Sequence, residues 1–240
     1  MENGADVTQA RRGRPSTGVR EAVLKATEEV LGDAGLALST KEIARRAGVA
    51  ESSIFYHFGD RLGLLQAVIA LHLPAFADAT AVLGEGGLAG HDPTTAPDAP
   101  ARAEHGPTAD PAGHDPTADL TALLRGLERF YRGIMPILGA LQSDAQLRAL
   151  LVERGGEIGP HLALGAVADA LRARQAAGRL PAALDPSAAA LVLVGAAYQR
   201  ALHGHLLGEA ADRLLPPVET VAHTLAPAFA QGLAPDGTAG

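Results

Sequence analysis

Apolar residues recur along this chain at helical spacing. Val19, Ala22, Val23, Ala26, Val30, Leu31 and Ala34 follow an i, i+3, i+4, i+7 pattern that predicts a first helix, stopping at Gly35. A long helix is predicted from Asp60, as N-cap, through Leu62, Leu65, Val68, Ile69 and Leu73. Pro74 has no N–H to give to residue 70, so a kink or break is expected there. Leu120, Leu123, Leu124, Leu127, Phe130 and Tyr131 define another amphipathic helix, disturbed at Gly133 and Pro136. Further helices fit about 143–153, 157–178, 186–207 and 217–231, with stops at Gly155-Gly156, Gly178, Pro181 and Pro216-Pro217. Asp185-Pro186 reads as an N-cap followed by Pro at the first helical position. No segment alternates convincingly with period 2, so the expected fold class is all-α.

One stretch breaks the pattern. Residues 84–118 contain a single large aliphatic, Leu88, among Pro, Gly, Asp, Thr and Ala. Such a segment cannot bury enough apolar surface to offset its ordering entropy and is expected to be a disordered insertion. It holds the near-repeats His91-Asp92-Pro93-Thr94, His105-Gly106-Pro107-Thr108 and His114-Asp115-Pro116-Thr117. Their histidines raise the alternative of a metal tract, but the motif offers no preformed ligand geometry, and a drifted low-complexity insertion is favoured.

Composition narrows the class. The chain has 240 residues, enough for one or two domains with a real core. It has no cysteine, which excludes a disulfide scaffold and cysteine-based zinc or nucleophile chemistry. Aromatics are 3%, so the core must be built from Ala, Leu and Val, which suits close helix packing. Residues 1–18 have no apolar h-region, and the apolar run Ala188 to Tyr198 is far short of the roughly 20 residues that span a bilayer. A soluble, cytoplasmic protein without membrane contact is expected.

The net charge of −7 argues at first against nucleic acid, but it is unevenly placed. Residues 1–72 carry nine basic and nine acidic groups; residues 73–240 carry 11 basic and 18 acidic. Within the first third, Arg11, Arg12, Arg14, Arg20 and Lys25 face only Glu21 across residues 11–25.

The most informative stretch is Ser39 to Arg61, STKEIARRAGVAESSIFYHFGDR. Ser39 and Glu42 have the spacing of a capping box, so a helix starts near Thr40 with Ile43, Ala44 and Ala47 inside. Gly48 turns the chain and Val49 fills the crook. A second short helix runs from about Ala50 to His57, with Ile54, Phe55 and Phe58 as anchors. Ala44 is small where that helix crosses. This is a helix-turn-helix arrangement.

Here the sequence resembles the TetR family of transcriptional regulators. Thr40-Lys41-Glu42-Ile43-Ala44, Ala47-Gly48-Val49, Phe55-Tyr56-His57-Phe58, Arg61 and Leu64-Leu65 carry the resemblance, which covers about residues 17–70. It departs from the family pattern at Ala50, where Ser or Thr is usual, at Phe55, where Tyr is common and Phe suits packing, and at Arg61, where Lys is frequent. The resemblance implies a basic arm over 1–16, a three-helix DNA-binding domain over 17–63, and a helical effector-binding and dimerisation domain over 64–231 ending in a tail, 232–240.

The N-terminal part of the second helix enters the major groove in this motif, making Glu51, Ser52 and Ser53 the base-edge candidates. Glu51 has two readings: it accepts from a cytosine N4, or it offsets the missing cap at Ala50. Tyr56 and His57 are candidate phosphate neighbours as the resemblance implies, with internal packing as the alternative. Thr40, Lys41 and Arg61 are candidate phosphate donors. Arg11-Arg12-Gly13-Arg14-Pro15 resembles an AT-hook core suited to a narrow minor groove, with a solubilising tail as the alternative.

The 186–207 segment is apolar almost all round before Gln199, and its Ala and Gly residues permit close approach of a partner. With 217–231 it is the expected homodimer interface, which would set two recognition helices on a pseudo-palindrome. Tyr131, Met135, Gln142, His161, Tyr198, Gln199 and His203 are the polar or soft groups within apolar segments and the candidates to line an effector pocket. His203 and His205 are two apart and share no helix face, so no metal site is expected, and no cofactor. The leading expectation is a repressor released from double-stranded operator DNA by a small, largely apolar effector. The alternatives are an activator or architectural DNA binder without effector, and a helical enzyme with a vestigial helix-turn-helix. No G-x-S-x-G, H-E-x-x-H, P-loop or dinucleotide fingerprint supports the enzyme.

Overall fold

The computed structural model describes residues 16–34, 38–84, 116–154 and 160–230. Among them every regular element is helical. In chain order these are α1 (Ser16–Ala34), α2 (Thr40–Ala47), α3 (Glu51–Phe58), α4 (Arg61–Ala81), α5 (Pro116–Ser143), α6 (Ala145–Glu153), α7 (Pro160–Ala176), α8 (Pro186–Leu207), α9 (Ala211–Leu214) and α10 (Val218–Ala230). A single 3-10 turn, Gly208–Ala210, precedes α9. The stops expected at Gly35 and Gly155-Gly156, the three repeat histidines His91, His105 and His114, the arm and the tail lie outside the described residues.

The helices form two compact units. The first comprises Met1–Val68 with Gly139–Leu150, and the second Ile69–Leu138 with Leu151–Gly240. In the first, α1 packs on α2 and α3. Val23, Leu24, Ala26, Val30 and Leu31 of α1 are buried, as are Ile43, Ala44 and Ala47 of α2, Ile54 of α3, and Leu62, Leu64, Leu65 and Val68 of α4. Thr27 is also fully buried, which its hydroxyl tolerates by donating to the Val23 carbonyl at 2.7 Å. Arg20 places its guanidinium 5.5 Å from the Phe58 ring centre.

Two helices continue through prolines where breaks were expected. α4 contains Pro74 and α5 contains Pro136. A helix-interior proline costs about 3 kcal/mol. Continuing α4 buries Phe76 and brings Leu83 into the core, and burial of each such side chain contributes about 1.5–3 kcal/mol. Ile137 and Ala140 make the same case past Pro136. Gly133 also leaves α5 unbroken; a Cβ there would lie 2.5 Å from His72 Nδ1, so the glycine gives room to the imidazole. Pro116, Thr117 and Ala118, expected within the insertion, are instead the first residues of α5.

α4 is long and apolar enough to cross a membrane by length and composition; its Leu62, Leu64, Leu65 and Phe76 pack inside the protein, while Leu71 and Leu73 are exposed. α8 starts at the expected signal: Asp185 accepts from the Ser187 and Ala188 amides at 2.8 and 2.9 Å, with Pro186 first in the helix. α8 is not enclosed all round within the chain. Ala189, Ala190, Leu193, Val194, Ala197 and Ala201 are buried, while Leu191 and Val192 are 61% and 52% exposed.

Candidate nucleic-acid interface

The helix-turn-helix is assembled by backbone devices. The Ser39 side chain accepts from the Glu42 amide at 3.3 Å, which is half of the anticipated capping box. The Glu42 carboxylate does not complete it. It takes Arg45 at 2.6 and 2.8 Å and Arg46 at 2.9 Å, and those hydrogen bonds hold its pKa down to about 2. Arg46 also reaches Asp33 of α1 at 2.7 Å, tying α2 to the first helix. Gly48 then turns the chain at φ 67°, ψ 36°, a left-handed conformation favouring glycine. The Val49 amide closes the turn on the Ala44 carbonyl at 3.0 Å.

α3 has no side-chain cap, since Ala50 holds the N-cap position. The Ser53 amide finds the Ala50 carbonyl instead, at 2.9 Å. Glu51, in the first turn, accepts the Thr40 hydroxyl at 2.5 Å. Both Thr40 and Glu51, expected to meet DNA separately, thus engage each other across the starts of α2 and α3.

The outward face of α3 carries Glu51, Ser52, Phe55 and Tyr56, all exposed. Tyr56 is 86% exposed, so internal packing does not describe it. Ser53 and His57 are half-buried. His57 sits edge-on between Tyr56 at 5.1 Å and Phe58 at 6.4 Å. Phe55 corrects the expectation of an anchor: it is 43% exposed, and Ile54 takes the buried position. Helical spacing was the available signal, because Phe55 lies three residues after Ser52 on the same face. Lys41 is exposed in the first turn of α2. Arg11, Arg12 and Arg14 lie outside the described residues.

Arg61 stands apart from the outward set. Its Nη2 donates to the Leu38 carbonyl at 3.0 Å and to the Asp144 carboxylate at 2.5 Å. Asp144 is a residue that sequence reasoning missed: its place just before α6 is a local N-cap signal, but nothing local marks it as the partner of Arg61.

The expected effector-facing residues divide in the second unit. Tyr131 and Met135 are buried one turn apart on α5. The Tyr131 ring meets Tyr198 of α8 edge-on at 5.6 Å, and burial, with Tyr198 beside it, pushes the Tyr131 pKa up to about 12. The contact belongs to a chain of rings: Phe76 on α4 meets Phe130 at 5.0 Å, and Phe130 meets Tyr131 at 5.2 Å. His203 is half-buried, its Nδ1 2.8 Å from the Gln199 carbonyl. Gln142, His161 and Gln199 are exposed. The helix surfaces that carry them face outward. No cluster of three or more metal-ligating side chains occurs among the described residues.

Residues 23–68 match the family model of bacterial regulatory proteins, tetR family. No curated protein matches the chain significantly. Solved structures share the fold over nearly the whole length. Salmonella enterica GusR is 14% identical with a TM-score of 0.57, over 88% of this chain and 95% of its own. SmeT in complex with triclosan is 20% identical with a TM-score of 0.55, over 92% and 96%. A Rhodococcus sp. protein described as a TetR-family regulator is 19% identical with a TM-score of 0.54, over 89% and 98%. The matched segment spans most of α1, all of α2 and α3 and the first part of α4, so these helices form a helix-turn-helix domain of the kind that family model describes. Residues 23–68 therefore resemble the DNA-binding segment of tetR-family regulators, and the chain as a whole shares the fold of the solved structures.

Proposed function

We propose that this protein is a cytoplasmic homodimeric repressor, released from a pseudo-palindromic operator by a small, largely apolar effector. The observation that carries the reading is the outward face of α3, where Ser52, Phe55 and Tyr56 stand exposed on a capped and braced helix-turn-helix. Ser52 and Ser53 are the base-facing groups, Glu51 braces the start of α3 through Thr40, Tyr56, His57 and Lys41 are the phosphate-facing groups, and the Arg11, Arg12 and Arg14 arm adds a minor-groove contact. The exposed Leu191 and Val192 of α8 supply an apolar face for the two-fold partner.

The ring chain Phe76, Phe130, Tyr131 and Tyr198 supports an aromatic effector. A ligand that displaces Tyr131 acts on Phe76 of α4 through two ring contacts, and one that displaces Tyr198 through three. SmeT, a structural relative, binds triclosan, an aromatic molecule, which agrees with that class. Release requires the effector to bind the DNA-incompetent state more tightly.

The test is selection of binding sites from a random duplex library with the full-length chain, followed by gel shift and sizing of the complex. A palindromic consensus bound by a dimer supports the reading. A folded protein that enriches no sequence at low salt rejects it. Apolar aromatic compounds that raise the melting temperature should then dissociate the selected complex.

A further inference from the structure

Arg61 and Asp144 are 83 positions apart, and their ion pair sits inside the first compact unit with both side chains about three-quarters buried. We infer that Arg61 acts in operator binding as a positioning residue, paired with Asp144, and not as a phosphate ligand. The inference rests on the operator-binding reading above.

Three observations converge. First, the Arg61 guanidinium closes the helix-turn-helix on itself. Its Nη2 holds the carbonyl of Leu38, the residue before the Ser39 cap of α2, while its own backbone begins α4 just after the Gly59 turn that ends α3. One side chain therefore spans both ends of the segment that meets DNA. Second, Asp144 uses both carboxylate oxygens. Oδ1 accepts the Gln146 and Leu147 amides at 2.9 and 3.1 Å and caps α6; Oδ2 accepts Arg61 at 2.5 Å. Leu147, one turn into α6, is fully buried. Third, Arg61 Nε is buried with no hydrogen-bond partner, so the guanidinium depends on Leu38 and Asp144 for its compensation.

A DNA phosphate reaching Arg61 would meet it beside the negative charge of the Asp144 carboxylate. Asp144 directly follows α5, and α5 runs without a break from Pro116, in the second unit, to Ser143, in the first.

The experiment uses the full-length protein and the duplex it selects, with affinities measured over a salt series for wild type, Asp144→Asn, Arg61→Gln and the double variant. Asn is among the best N-caps, so Asp144→Asn keeps the start of α6 while removing the charge. Each single change should weaken binding about tenfold, the double should be no weaker than the stronger single, and the salt slope should stay as in wild type. Thermal melts should show less than a proportionate loss of stability.

Arg61→Gln lowering the salt slope by about one, with Asp144→Asn neutral or tighter, identifies a phosphate ligand and overturns the inference. Additive losses, or no loss, overturn it as well. If Arg61→Gln does not fold, Asp144→Asn decides alone: weaker binding at unchanged slope supports the positioning role, and unchanged or tighter binding rejects it. A folded wild type that selects no duplex fails the operator reading itself, and the inference falls with it.

Discussion

The Thr40 hydroxyl donates to the Glu51 carboxylate at 2.5 Å, joining the first turns of α2 and α3. The bond bears on the two readings of Glu51. An acceptor committed to Thr40 is less available to a cytosine amine, and its negative charge still opposes phosphate. Glu51→Gln keeps an oxygen for Thr40 and removes the charge. It should tighten binding to the selected duplex several-fold without altering base preference, whereas Glu51→Ala should lose the Thr40 contact and bind more weakly. A changed preference at one base pair in both variants, measured by competition with single-pair operator variants, would restore the cytosine reading.

Ala50 offers α3 no side-chain acceptor, yet its backbone, at φ −72° and ψ 144°, already has N-cap geometry. Ala50→Ser should therefore cap the helix without rearrangement and stabilise the protein by about 1 kcal/mol. The check is a chemical-denaturation midpoint of the variant against wild type. An unchanged midpoint would mean that the Ser53 amide bond to the Ala50 carbonyl already satisfies this end.

Glu42 gives the first unit an acid-sensitive joint. Its folded pKa, about 2, lies below the ordinary 4.5 because Arg45 and Arg46 bond the carboxylate. The unfolded chain then binds the extra proton first, so the contribution is present above about pH 4.5 and is lost as pH falls toward 2. The carboxylate is solvent-exposed and the effect is screened, so Glu42→Gln should flatten, not abolish, the acid limb of a stability-against-pH curve. Identical slopes for wild type and variant between pH 5 and pH 2 would remove Glu42 from the account.

Helix existence and the helix-turn-helix were legible because they are written locally. The Asp185-Pro186 start, the glycine at position 48 and the spacing of Ile43, Ala44 and Ala47 each act within a turn or two. What could not be read depends on distant partners. Pro74 and Pro136 look like breaks until the burial of Phe76 and Ile137 is known. Nothing near Arg61 in the sequence points to its ion-pair partner, because Asp144 lies 83 residues away. Polarity alone could not tell buried Tyr131 from exposed Gln142, His161 and Gln199, since each lies in a largely apolar helix.

Gly126 and Gly133, two turns apart on α5, should respond differently to alanine. A Cβ at Gly126 would lie 2.4 Å from Ala79 Cβ and 2.9 Å from Ala79 Cα, so the α4 backbone itself must give way. At Gly133 the obstacle is the His72 imidazole, a side chain and not the backbone of α4. Alanine gains about 1 kcal/mol over glycine in a helix interior, and overpacking costs about 1–3 kcal/mol. At Gly126 the rigid contact places the cost at the upper end, so Gly126→Ala should destabilise the fold by about 1–2 kcal/mol. At Gly133 the two effects should nearly cancel, leaving stability within about 0.5 kcal/mol of wild type. Parallel denaturation curves of the two variants test the contrast. Equal losses would show that His72 is held as rigidly as the Ala79 backbone, and would make the imidazole, not the proline further along α4, the fixed point between α4 and α5.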